Sequence, residues 1–160
     1  MQQQINPFLW FDDQAEEAAH YYVSTFDDSS IGEVSRYPEG SPGPAGSVMT
    51  VSFTLKGQEF IALNGGPEFA FSPALSLFVH CRDQDEVDRY WSRLTDGGRS
   101  QQCGWVTDRF GVTWQIVPDR LGELLRDPDP GRAERAMQAM LQMDKIDIKV
   151  LEDAANAPDW

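Results

Sequence analysis

Two side chains are chemically equipped for catalysis, His80 and Cys103, and neither stands in a motif that fixes a reaction. His80 lies one residue before the end of the run Ala74 to Cys81, in phase with Ser76 and Phe78. Alternate residues of a strand share a face, so these three point the same way. An imidazole at such a place suits general acid–base work or a metal bond. The competing reading is a hydrogen-bonded lining histidine, and it is preferred because no acidic partner occupies a neighbouring inward position. Cys103 lies in Gln102-Cys103-Gly104-Trp105 and offers a thiol that His80 would activate toward electrophiles if the two meet. Read structurally, it is a small buried residue beside a bulge glycine, and that reading is again preferred. His20 falls within a helix and is expected at its surface. The two cysteines, Cys81 and Cys103, show neither C-x-x-C nor zinc spacing, so reduced thiols in a cytoplasmic protein are the expectation.

The elements that must position these groups come in two copies. Asp13-Gln14-Ala15-Glu16 followed by Tyr21 recurs seventy positions later as Asp83-Gln84-Asp85-Glu86 followed by Trp91, and Phe8 and Leu9 answer to Phe78 and Val79. Each copy reads as a short strand, an acidic helix cap and an amphipathic helix. In the first copy, Ile5 to Phe11 is the strand, Asp12 or Asp13 the cap, and Ala15, Ala18, Ala19, Tyr22 and Val23 the buried helix face. A strand over Ile31 to Tyr37 precedes the Pro- and Gly-rich loop Pro38 to Gly46. Ser47 to Leu55 alternates, with Met49, Val51, Phe53 and Leu55 on one face, and the turn Lys56-Gly57 returns Glu59 to Asn64 as the next strand.

In the second copy, Asp83 and Glu86 resemble a capping box. Val87, Tyr90, Trp91 and Leu94 form the helix face, and Gly97-Gly98 ends it. Strands follow at Arg99 to Cys103, Trp105 to Thr107 and Val112 to Val117. Beyond them come short helices: one with Leu121, Leu124 and Leu125, one starting at Pro130 with Asp129 as cap, and one capped by Asp147. Ala133, Met137, Met140 and Leu141 are expected to form the packing face of the middle helix, against the body or against a second subunit. The fold class is therefore α+β: two tandem β-α-β-β-β units (5–67 and 74–118) and C-terminal helices (119–155), read as one domain over 1–160.

Composition removes several functions. A net charge of −13 speaks against binding nucleic-acid phosphates, which requires clustered Lys and Arg. The sequence Met1-Gln2-Gln3-Gln4 runs into the first strand without a basic region or a long apolar run, so neither a signal peptide nor a membrane span is expected.

The chain resembles the PhnB-like branch of the vicinal-oxygen-chelate superfamily, which includes glyoxalase I, extradiol dioxygenases and the bleomycin-resistance proteins. The residues that carry this are Pro7-Phe8-Leu9-Trp10-Phe11, Gly57-Gln58-Glu59-Phe60, Ala62-Leu63-Asn64-Gly65-Gly66-Pro67 and Gln102-Cys103-Gly104-Trp105. Gly111 to Pro118 and Met137-Gln138-Ala139-Met140-Leu141 continue it. The resemblance implies a cup-shaped site and usually a homodimer. In metal-using members four ligands come from the first and last strands of each half, and the corresponding positions here are near Asn6, Ala62, Ser76 and Gln115. Among these Gln115 alone keeps a family ligand type, so no metal or other cofactor is expected; a divalent metal is the disfavoured alternative.

By strand phase the ligand pocket should be lined by Asn6, Phe8, Trp10, Thr50, Ser52, Ala62, Asn64, Ser76, Phe78, His80 and Gln115, a mix of aromatic walls and hydrogen-bonding groups suited to a small organic molecule. The alternatives are a lyase or isomerase using His80, Gln115 or Cys103, and a non-catalytic dimer with a filled cup. Some members carry a demethylubiquinone-methyltransferase label, but no G-x-G-x-x-G follows a strand here to hold a nucleoside cofactor.

Overall fold

A computed structural model describes residues 3–158, and in it the chain divides after Phe71 into two compact units. The first contains β1 (Phe8–Phe11), α1 (Ala15–Thr25), β2 (Ser29–Arg36), β3 (Val48–Leu55) and β4 (Gln58–Asn64). The second contains β5 (Ser76–Cys81), α2 (Gln84–Thr95), β6 (Arg99–Ser100), β7 (Trp105–Thr107) and β8 (Thr113–Pro118), then α3 (Asp119–Leu125), α4 (Pro130–Met140) and α5 (Ile148–Ala155). The sheet orders are β1-β4-β3-β2 and β5-β8-β7-β6, the same topology twice. In each, the first strand runs parallel to the last and the other pairings are antiparallel. The α+β class and the tandem units expected from the sequence are what the chain forms.

In the first unit α1 lies on one face of its sheet. Ala15, Ala18 and Ala19 are fully buried, and their short side chains let the helix come close enough for Tyr22 to stack on Phe53, which stacks on Phe60. Each large buried side chain of this kind removes about 1.5–3 kcal/mol of apolar surface free energy from water. Two residues, Lys56 and Gly57, turn β3 into β4, both with positive φ as a tight hairpin requires. The pairing that follows sets Phe53 opposite Phe60 and Val51 opposite Ala62. At the β2 bulge Gly32 admits no Cβ, since one would meet Ser52 Oγ at 2.4 Å.

In the second unit Val87, Tyr90 and Leu94 of α2 are buried in the same core as Val79, Cys81, Val106, Trp114 and Ile116. Trp91 is half-buried. The C-terminal helices close a core of their own around Val117, Leu121, Leu124, Ala136, Ile146, Leu151 and Ala155. Asp129 caps α4 through the Gly131 N–H, with Pro130 opening the helix, and Asp147 caps α5 through the Val150 N–H. Within the chain only part of the apolar face of α4 is buried. Ala136, Ala139 and Met140 pack inward, while Met137 and Leu141 stay exposed, because the helix leans on α5 through its small residues. Among the described residues no helix is long and apolar enough to cross a membrane.

Candidate functional site

In each unit the sheet face away from its helix is where the sequence places the ligand-binding residues. On the first sheet Phe8 stands 55% exposed there, with Trp10, Thr50 and Ser52 half-buried on the same side. Trp10 is held firmly. Its indole N–H donates to Gly66 O at 2.9 Å, its ring meets Phe69 edge-on, and a Cβ at Gly65 would come within 2.4 Å of the indole. The Thr50 hydroxyl bonds that of Ser35, and Ser52 Oγ accepts the Glu33 N–H at 2.7 Å. Asn6, just before β1, donates to Glu59 O at 3.2 Å.

Two expected lining residues are on the other face. Ala62 is completely buried on the helix side, opposite Val51 and Leu9. Asn64 shares its phase and does structural work: its Oδ1 accepts the Ala15 N–H at 2.7 Å and its Nδ2 donates to Val48 O at 3.2 Å. Ile61 and Leu63, paired with Phe8 and Trp10, take their places on the helix-free face. The cause is the composition of β4. Phe60, Ile61, Ala62 and Leu63 are apolar in succession, so alternation within the strand does not say which side is which.

On the second sheet Ser76, Phe78, His80 and Gln115 do share the helix-free side. Gln115 Nε2 donates to Ser76 Oγ at 3.0 Å, and the Phe78 and His80 rings lie 4.8 Å apart. Trp105, opposite Gln115 in the register, joins this face, whereas Trp114 points into the core and donates to the buried Asp108 carboxylate at 2.8 Å. His80 has the acidic neighbour that the sequence reading denied it. Asp119 Oδ1 is 3.6 Å from Nδ1, brought there because Cys81 pairs with Pro118 at the end of the parallel β5–β8 ladder. Cys103 adopts a left-handed backbone (φ 60°), and its N–H donates to Met143 O. It is not among the residues that line the groove beside His80.

That groove, about 410 Å³, runs between β5 and α3, with Phe78 and His80 on one wall and Asp119, Glu123 and Arg126 on the other. Nothing in the apolar periodicity of residues 119–126 announces it. A second cavity of about 550 Å³ lies in the first unit where the Pro38 to Gly46 loop folds over the start of α1; Asp12, Asp13, Glu16, Tyr37 and Asn64, one of the expected lining residues, border it. The loop is ordered by the Gly46 N–H on Tyr37 O, the Tyr37 N–H on Ser47 O and the Tyr37 hydroxyl on Asn64 O.

The positions that the family resemblance would assign to a metal are ill suited to one here. Ala62 offers no donor atom and is buried in the core, and the Gln115 amide is bonded to Ser76. Among the described residues no group of three or more His, Cys, Asp or Glu is placed to hold a metal ion.

Residues 3–117 match the family model described as 3-demethylubiquinone-9 3-methyltransferase. A PhnB protein from Bacillus cereus bearing that same description is 38% identical, with a TM-score of 0.67 over 72% of this chain and 99% of its own. A protein from Pseudomonas aeruginosa is 22% identical (TM-score 0.61, 73% and 98% covered). The fosfomycin resistance protein FosX from Mesorhizobium loti is 16% identical (TM-score 0.52, 71% and 89% covered). The last two share the fold. No curated protein matches the chain.

Proposed function

The chain belongs to the 3-demethylubiquinone-9 3-methyltransferase family, the PhnB-like branch of the vicinal-oxygen-chelate superfamily, and from that premise we propose that it binds a small organic molecule without a metal. The observation that carries this reading is the state of the helix-free sheet faces. Each presents a phenylalanine about half exposed, Phe8 at 55% and Phe78 at 49%, beside hydrogen-bonding side chains. Exposed aromatic surface next to a few fixed polar groups is the usual make-up of a small-molecule site. Methyl transfer from a nucleoside cofactor does not follow from the family's description, because the sheets are mixed β-α-β-β-β units and not the doubly wound parallel sheet that holds such cofactors.

Apolar aromatic compounds are expected to raise the melting temperature of the purified protein by several degrees, and Phe8→Ala or Phe78→Ala to reduce that rise. Elemental analysis is expected to find no stoichiometric divalent metal. Zinc, nickel or manganese at one per chain, lost on changing His80 or Gln115, would overturn the metal-free reading.

A second reading, an acid–base enzyme, is favoured by Asp119 beside His80, since a carboxylate near Nδ1 orients the ring and leaves Nε2 to move a proton. Turnover of a candidate substrate that disappears in His80→Ala would select it. The proposal includes a cytoplasmic homodimer. In its support, Met137, Leu141 and Val150 leave apolar side chains exposed on α4 and α5, and both cysteines are free. Light scattering that reports a monomer would remove the dimer from the reading.

A further inference from the structure

We infer that α3 turns the Phe78–His80 strip of β5 into a groove for a small organic acid, with Arg126 as the counter-ion of its carboxylate. The inference rests on the small-molecule reading above and names the class of ligand. Asp119, Gly122, Glu123 and Arg126 recur at helical spacing, so one face of α3 forms the groove wall. The two carboxylates of that wall already have partners. Asp119 faces His80, and Glu123 accepts from Arg120 Nη1 at 3.1 Å while Glu152 holds the other side of the same guanidinium. Those two glutamates raise Arg120 above the ordinary guanidinium range.

Arg126 differs. Its guanidinium makes no hydrogen bond or ion pair among the described residues, although it borders the groove. It also lies back over Gly122, where a Cβ would sit 2.9 Å from Nη1. Arg126, at the C-terminal cap of α3, lies seven positions beyond Asp119, a rise of about 10 Å, close to the distance over which salt water screens exposed charges. An anion at the Arg126 end is thereby kept apart from Asp119. The groove fits a ligand with a carboxylate at one end, an apolar or aromatic body against Phe78 and a neutral polar group toward His80. A guanidinium fork matches the two oxygens of a carboxylate better than any neutral head group.

The family match ends at Val117, before α3 begins, and the Bacillus cereus protein is matched over 99% of its length by 72% of this chain. The acid-binding wall is thus built from residues beyond the matched segment.

The test is calorimetric titration of 3-phenylpropionate and of its neutral amide into the full-length protein at low salt, with melting curves to confirm that each variant is folded. The acid is expected to bind at least tenfold more tightly than the amide and to weaken as salt rises. Arg126→Gln should remove that preference. Gly122→Ala, which keeps the charge but displaces the guanidinium, should reduce it severalfold. Equal binding of acid and amide, or an unchanged preference in Arg126→Gln, overturns the inference. If neutral aromatics still bind in that case, the small-molecule reading stands; if no aromatic compound binds at all, both fall.

Discussion

Helix α1 is capped from across its sheet and α2 by its own first turn, although both start in the sequence Asp-Gln-x-Glu. In the second unit Asp83 Oδ1 accepts the Glu86 N–H at 3.0 Å, and Glu86 turns back to accept the Arg82 N–H at 2.7 Å. Glu86 is 2% exposed and also holds the Arg82 Nε and the Tyr90 hydroxyl. In the first unit Gln14 occupies the cap position without a side-chain bond, and the acceptor for Ala15 N–H is Asn64 at the end of β4. The register explains the division. Asn64 pairs with Phe11, and the position that pairs with Cys81 in the second sheet is Pro118, which has no side-chain acceptor and leads directly into α3. Where the last strand supplies an amide, the helix is capped at long range. Where it supplies a proline, the cap must be local.

The sharpest way to break this contrast is Glu86→Ala. Removing a buried carboxylate that satisfies donors on three groups is expected to cost about 2–3 kcal/mol in urea unfolding followed by circular dichroism. The matching change in the first unit, Glu16→Ala, removes an exposed side chain and should stay within about 0.5 kcal/mol.

Next in size is Asn64→Ala, expected to cost about 1–2 kcal/mol as a lost cap, while Asp13→Ala stays within about 0.5 kcal/mol. If Asp13→Ala proves the costlier of the two, the long-range cap is wrong. Smallest is an effect confined to the second unit. Lys145, then Gln84, hydrogen-bond Asp88 and lower its pKa from 3.8. A depressed carboxylate stabilises the folded state above its unfolded pKa and loses that contribution as pH falls through the folded value. Asp88→Asn should therefore lower stability at neutral pH by no more than about 0.5 kcal/mol, because the pair is exposed, and flatten the loss of stability below about pH 4. Unchanged acid-limb slopes in the variant would exclude the linkage.

Much of this was legible in the sequence because alternation and spacing carried it. Val51, Phe53 and Leu55 mark one face of β3 unambiguously, and the Asp129-Pro130 and Asp147 helix starts are local signals. The phase of β4 was also available, though indirectly. A two-residue turn at Lys56-Gly57 pairs Leu55 with Gln58, which forces Val51 opposite Ala62 and sends Ala62 and Asn64 to the helix side. Read within β4 alone, four consecutive apolar residues conceal it. Asp119 beside His80 is another kind of miss. The two are brought together by a parallel ladder, whose register no local turn fixes. On α4 the sequence shows an apolar face but not how it divides: Ala136 and Ala139 permit the close approach to α5 with Met140 packed beside them, whereas Met137 and Leu141 stay outside that contact.

The left-handed turn at Cys103-Gly104 donates both of its amides to carbonyls of Met143 and Asp144, beyond the family-matched segment. Ile146, two residues further on, packs so tightly that a Cβ on Gly104 would come within 3.1 Å of it. The amide protons of Cys103 and Gly104 are thus a built-in gauge of helix docking. In hydrogen exchange they should report the rate at which the 143–146 segment lifts from the sheet, even while the β7–β8 ladder beside them stays closed.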